Sequence, residues 1–404
     1  MRRHPRSGAV RAQLIRTAVL EIYEEVRREG ARADQALQSV LRREKLLRSV
    51  ERRAVSDAVY GLLRLQGRVD HLLQRALGTR KLALEKLATP TQHLLRYAAY
   101  LVVGERQSPE SAAGLAGPEI ATWSWALELV ADPERLGAPD DPLDALAAET
   151  SLPRWLAKLW SEQLGSGETR ALAAALNQRA PLTVRANLLR NTRDELIAAL
   201  RAEGSRVEPT RLSPWGVTFT GRTNGKTLAL ASEMRNKGRL VACDRDGRRL
   251  DKVRPRARRA GVHNWEARSV PESSDARLVE LSGQADVVLI DAPCSGLGAL
   301  RRNPDARWRL EESEVDSFPP RQGEILERYA RLVKPGGRLV YATCSINRRE
   351  NEEVRSAFLS AHPDFEPAQA LPQSVGLGVG SEVQLLPHRQ GTDGFYIATM
   401  RRSR

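Results

Sequence analysis

Residues 284–302 read QADVVLIDAPCSGLGALRR, and residues 337–345 read GRLVYATCS. Each stretch holds a short, apolar, β-branched run that ends in a cysteine and is flanked by Gly or Pro. Runs of that length fit strands buried on both faces of a parallel sheet. In open α/β sheets the chemistry gathers beyond the carboxyl ends of the strands. Cys294 and Cys344 are therefore expected on loops at one sheet edge, facing one substrate. A lone cysteine is more often a small buried hydrophobe, and Cys243, inside RLVACD (239–244), is assigned that role.

Around these two runs, helix and strand patterns alternate from Gly225 onward. RLVACD (239–244), WEARSV (265–270), ADVVLID (285–291) and GRLVYATC (337–344) read as strands. GRRLDKVRPRARRAG (247–261), 318–333 and 348–361 contain helices, and 383–400 gives two short extended runs. This alternation predicts a doubly wound, Rossmann-like α/β domain over residues 225–404. The second strand ends in Asp244, where an acid commonly takes the ribose hydroxyls of a cofactor and equally serves as a helix N-cap.

Toward the N-terminus, residues 151–224 read as a small α+β domain. It has two amphipathic helices (151–178), a strand (179–190), a helix capped at Asn191 or Thr192 (191–204) and a strand at 217–219. Arg179, Arg185 and Arg190 along it form a solvated face or a phosphate track. Residues 137–150, GAPDDPLDALAAET, read as a linker. Residues 1–136 form an all-α bundle, with Ile15, Val19, Ile22, Tyr23 and Val26 at helical spacing and Gly30 as a stop. Thr89-Pro90 and Ser108-Pro109 both look like an N-cap followed by proline at the first helical position. The bundle carries surface charge and no polar constellation, which marks a binding module rather than a catalytic one.

Composition narrows the partners. A chain of 404 residues with net charge +14 and pI near 10.2 favours a polyanion. Arginine far outnumbers lysine, so part of that charge is an ordinary basic surface. Three cysteines are too few for a disulfide framework and lack metal-ligand spacing, which fits a reducing cytoplasm and no metal. No apolar run approaches the roughly 18 residues needed to span a bilayer, so no membrane partner is expected.

DAPCSGLGALRRNPDARWR (291–309), VKPGGRLVYATCSINRRENEEV (333–354) and GTDGFYIA (391–398) closely resemble the Nol/Nop/Sun family of RNA cytosine-C5 methyltransferases. The helix order and the stretch Arg52 to Leu73 resemble a NusB-like RNA-binding domain, which makes the match RsmB-like. The resemblance implies a cytoplasmic, monomeric enzyme. It would methylate carbon 5 of a cytosine in ribosomal RNA, most simply small-subunit RNA, with S-adenosylmethionine as cofactor. It makes Cys344 the nucleophile and Cys294 the aid to product release, and places Asp291 between cofactor and base. Asp244 matches the ribose-binding acid, while Gly225 and Lys226 match the end of the first cofactor motif. Arg301, Arg302 and Asn303 match an RNA-contacting segment, with Trp308 beside them either in that contact or in packing. The residue types suit the chemistry. Carbon 5 of cytosine is a poor nucleophile until a thiolate adds to carbon 6 and turns the ring into an enamine. An acid near the ring nitrogen eases that addition, and a base must later remove the proton at carbon 5. DNA cytosine methyltransferases use the Pro-Cys thiol instead, so exchanged roles for Cys294 and Cys344 are the mechanistic alternative.

One motif departs from the family. Its first cofactor motif is a strand followed by a D-x-C-A-x-P-G-G-K-T loop, whereas here the chain runs SPWGVTFTGRTNGKTLALASEM (213–234). Gly225-Lys226-Thr227 remain, while the preceding strand, its acid and most of the Gly-rich turn are missing. It reads as though Asn224 had been joined to Gly225 across a deletion. The sheet is then expected to lose its first, central strand unless Val217–Thr220 replaces it. GRTNGKT falls one residue short of a phosphate-binding loop, and no acidic strand motif supports an NTPase. The rival to an active enzyme is an RNA-binding pseudoenzyme or deletion variant without its cofactor loop.

Overall fold

The computed structural model describes residues 5–219, 233–271, 275–378 and 380–404. The first part is helical: α1 (Pro5–Arg28), α2 (Ala33–Arg43), α3 (Ser49–Gly78), α4 (Thr89–Val103), α5 (Pro109–Ala116) and α6 (Ser124–Ala131). Val19, Ile22, Tyr23 and Val26 of α1 meet Val55, Val59, Leu62, Leu63 and Val69 of α3 in one core, because each set recurs at helical spacing. Gly30 takes φ +65° just past α1, as its place predicts. Ser108 caps α5 by accepting from the Ser111 amide at 3.2 Å. Thr89, by contrast, is the first residue of α4, and the cap position is Ala88.

The stretch read as a linker contains a further helix, α7 (Pro142–Thr150). The Asp141 carboxylate accepts from the Leu143 amide at 2.7 Å, with Pro142 at the first position. The Asp-Pro pair that looked like a breaker is a helix start. Two more helices follow, α8 (Arg154–Leu164) and α9 (Ser166–Leu176). With α7 they bury Leu156, Trp160 and Leu172 against Leu297, Leu300 and Leu310, far along the chain. Strands β1 (Leu182–Arg185), β2 (Glu208–Pro209) and β3 (Gly216–Phe219) form a separate antiparallel sheet in the order β1–β3–β2. Across it lies α10 (Arg193–Ala202), capped by Thr192 and Glu195 in a reciprocal pair of bonds.

Seven further strands make the last part: β4 (Leu240–Asp244), β5 (Trp265–Ser269), β6 (Ala285–Asp291), β7 (Val333–Thr343), β8 (Phe365–Ala368), β9 (Glu382–Leu385) and β10 (Phe395–Arg402). β6 pairs parallel with β7, β7 antiparallel with β10, and β10 takes both β8 and β9. β4 and β5 form a parallel pair of their own. The single doubly wound sheet expected from the alternation is thus two sheets, and among the described residues no strand joins β4 to β6. Val217–Phe219 does not fill the place, because β3 is committed to β1 and β2. Among the described residues the halves meet at Val241 and Cys243 from one and Ala285 and Val288 from the other, around Val270, Leu278, Leu281 and Leu332, and Arg328 donates to the Pro271 carbonyl at 2.7 Å. A strand flanked on both sides is normally covered on both faces, yet Val287 is 58% and Leu289 39% exposed on β6.

Arg307 and Trp308 fasten this part to the helical one. The Trp308 indole donates to the Leu63 carbonyl at 2.6 Å. The buried Arg307 guanidinium donates to Arg64 O, Ser151 O and Asn177 Oδ1 at 3.3, 3.1 and 2.7 Å.

Candidate active site

Parallel pairing sets the site. In the β6–β7 ladder Asp291 lies opposite Ala342, and the Ala292 amide still donates to the Ala342 carbonyl at 2.9 Å. Both chains then leave the sheet at the same edge, Cys294 on one loop and Cys344 on the other. Their sulfur atoms stand 3.3 Å apart. The two thiols that the sequence placed on neighbouring loops are in contact.

Three backbone segments cross beneath them. The Gly298 amide donates to the Cys344 carbonyl at 2.9 Å, and the Gly394 amide donates to the Gly298 carbonyl at 2.8 Å. A Cβ on Gly298 would collide with the Gly394 carbonyl and come within 2.8 Å of Cys344 O. All these obstacles are backbone. Gly298→Ala is therefore expected to cost about 1–3 kcal/mol through overpacking. It should also move the Cys344 loop, read as a lower melting temperature together with faster alkylation of Cys344.

Cys294 is pushed well above the usual thiol range, first by its hydrogen bond with Cys344, then by burial, the Cys344 charge and Glu350. Cys294 accordingly keeps its proton at neutral pH. Asp291 is exposed at the end of β6. Asp244 is half-buried at the end of β4, accepting from the Asp246 amide at 2.9 Å, with the Arg249 guanidinium 3.8 Å away. Both carboxylates stand at carboxyl ends of parallel strands, where the resemblance expects a ribose-binding acid at Asp244 and an acid between cofactor and base at Asp291. Gly225 and Lys226 lie outside the described residues.

Of the expected RNA-contacting residues, Arg301 is only 6% exposed and is bound to Asp393 and to the Gly391 carbonyl. It braces the 391–394 loop from inside. Arg302, half-buried, shares Asp393 and donates to Pro181 O at 3.2 Å, while Asn303 is exposed. Trp308 packs against the helical core. Sequence reasoning missed a buried polar cluster around Glu350 under the thiols, because its run RRENEE reads as helix surface. Among the described residues no group of three or more His, Cys, Asp or Glu could hold a metal, and no helix is long and apolar enough to cross a membrane.

Comparison with known proteins agrees with this arrangement. The sequence model of the family described as 16S rRNA methyltransferase RsmB/F matches residues 221–401, and that of the RsmF/B-like ferredoxin-like domain matches 152–224. The chain is 28% identical to a Bacillus subtilis (strain 168) protein named probable ribosomal RNA small subunit methyltransferase B, covering 96% of this chain and 98% of that one. That alignment runs over 446 positions against the 404 residues here, so it carries gaps on this side. A Mycobacterium tuberculosis (strain H37Rv) protein named as a methyltransferase is 33% identical over 322 residues, 69% of this chain and 68% of its own. The crystal structure of PH0851 shares the fold, with a TM-score of 0.74 at 24% identity over 96% of this chain and 99% of that one. NSun6 from Pyrococcus horikoshii, solved with SFG, gives a TM-score of 0.54 at 17% identity over 62% of this chain and 98% of its own. The chain belongs to the RsmB/F methyltransferases of the Nol/Nop/Sun family.

Proposed function

We propose that this protein uses S-adenosylmethionine to methylate carbon 5 of a cytosine in ribosomal RNA, most simply small-subunit RNA, through a covalent bond to Cys344. The observation that carries the reading is the pair of sulfur atoms 3.3 Å apart beyond two parallel strands. The Cys344 thiolate adds to carbon 6 and forms an S–C bond, which makes carbon 5 nucleophilic. Asp291, at the end of β6, polarises the ring at its N3 edge. When bound, S-adenosylmethionine supplies an electrophilic methyl group, and Asp244 and Asp291 are the described residues that would hold it. After the proton at carbon 5 is removed, the S–C bond breaks and the ring double bond returns. Cys294, kept protonated, then donates its hydrogen bond to the departing Cys344 sulfur. The base must leave its stack to reach these groups. Arg302 and Asn303 are the segment's remaining candidates for the surrounding RNA. The domains are 1–136, 151–224 with the helix Pro142–Thr150 packed onto its first two helices, and 225–404, acting as one cytoplasmic monomer without a metal.

The test is RNA carrying 5-fluorocytosine, whose fluorine blocks the last elimination. A denaturation-resistant protein–RNA complex should form with wild type and Cys294→Ala and be absent with Cys344→Ala. Loss in Cys294→Ala alone would exchange the two roles.

One observation favours a second reading. Among the described residues no strand pairs the free sides of β4 and β6, and with the exposed Val287 and Leu289 this fits a chain that has lost a cofactor strand, leaving an RNA-binding pseudoenzyme. Titration calorimetry with S-adenosylmethionine separates the two: a saturable heat supports the enzyme, whereas RNA binding without it supports the pseudoenzyme.

A further inference from the structure

Directly beneath the two thiols lies a carboxylate with no solvent contact. Glu350 is 0% exposed, and among the described residues no Lys, Arg or His forms an ion pair with it. Its charge is met by hydrogen bonds alone. Oε1 accepts from both the Ser295 and the Ser345 hydroxyls, the latter at 2.6 Å. Oε2 accepts from the Ser295 amide at 2.8 Å and from Gln322 Nε2 at 3.1 Å. Ser295 directly follows Cys294 and Ser345 directly follows Cys344. One oxygen atom therefore ties together the two loops that carry the sulfurs, and the two hydroxyls are themselves 3.2 Å apart.

The carboxylate is held as firmly as it holds. The Tyr341 hydroxyl donates to the Glu350 carbonyl at 2.6 Å. The neighbouring Asn351 accepts from Thr343 Oγ1 at 2.6 Å and donates to the Ser345 carbonyl at 3.1 Å. Gln322, on the helix Phe318–Ala330, also donates to the Pro293 carbonyl at 2.9 Å, just before Cys294. A buried charge without a counter-ion is costly, and a satisfied buried network fixes geometry more than it adds stability. The network spans both cysteine loops and touches neither sulfur by a hydrogen bond. Beside the charge that disfavours a thiolate at Cys294, its part is spatial.

We propose that Glu350 is a positioning residue that sets the distance between the Cys294 and Cys344 thiols by gripping the serine behind each. The proposal rests on the reading that these thiols are the reacting groups, yet the spacing can be measured without any methyl transfer. Full-length protein carrying Cys243→Ser is equilibrated in reduced and oxidised glutathione, where two protein thiols and one glutathione disulfide give the protein disulfide and two glutathiones. The equilibrium constant reports how close the thiols are held.

Glu350→Ala is expected to lower that constant at least tenfold. Glu350→Gln keeps an oxygen for both hydroxyls but turns a donor toward the Ser295 amide and Gln322, so it should recover part of the loss, at least threefold over alanine. Should the alanine variant not fold, Ser295→Ala combined with Ser345→Ala removes both grips and should also lower the constant at least tenfold. A folded Glu350→Ala protein, or that double variant, within twofold of wild type overturns the proposal, as does a glutamine variant no better than alanine. Where methyl transfer is measured, Glu350→Ala should lower kcat with KM for RNA unchanged. A chain that never methylates leaves the thiol equilibrium readable, so failure of the functional reading and failure of this one give different results.

Discussion

Cys344→Ala is expected to reduce methyl transfer to RNA by at least about 10³-fold, since it removes the atom that makes carbon 5 reactive. The loss should appear in kcat, with RNA affinity within about threefold of wild type, because the basic surface that holds RNA is untouched. Cys294→Ala should behave differently. In the proposed mechanism it leaves the nucleophile and withdraws the thiol, 3.3 Å away, assigned to ease departure of the Cys344 sulfur. With ordinary cytosine RNA this variant should accumulate a covalent complex that survives denaturation and turns over slowly. Equal residual rates in the two variants, with no complex in either, would end the covalent scheme.

Arg307→Ala should be the most damaging change away from the thiols, at about 2–4 kcal/mol of unfolding free energy from the void and the unsatisfied acceptors. Arg307 is completely buried, and its guanidinium serves Arg64 O, Ser151 O and Asn177 Oδ1, three oxygens from different parts of the chain. Truncation leaves those acceptors unsatisfied and a void beside Trp308. Burial, followed by the nearby Arg64 charge, works against the charged form of Arg307, pulling it down to about 9. Below that pH, the folded state therefore bears a charge it disfavours, offset only by the bonds of Nη1, since Nε and Nη2 are buried with no partner among the described residues. Chemical denaturation of the two proteins measures the difference. A loss under 1 kcal/mol would show that the junction relaxes around the gap.

The thiol pair was legible because strand ends in a parallel sheet converge on one edge, whatever the loops between them do. The same logic placed Asp244 and Asp291. The departure from the family's first cofactor motif was also visible around Asn224, and that segment lies outside the described residues. Arg301 was not: exposed and buried arginines look alike until a partner such as Asp393, some ninety positions later, is brought alongside. Glu350 was hidden for the same reason, its partners Ser295 and Gln322 being distant in sequence. The helix Pro142–Thr150 failed for another cause, because an Asp-Pro pair serves equally to end and to begin regular structure.

The divided sheet gives the site an unusual thermodynamic character. Asp244 belongs to one sheet and Asp291 to the other, and the described contact between the sheets centres on a small cluster of side chains. A molecule that engages both acids must hold the two halves in fixed register, so its binding free energy includes the work of aligning them. Under the proposed assignment of both acids to the methyl donor, its recognition and the consolidation of this domain are one event, with affinity scaled by the fraction of molecules already aligned.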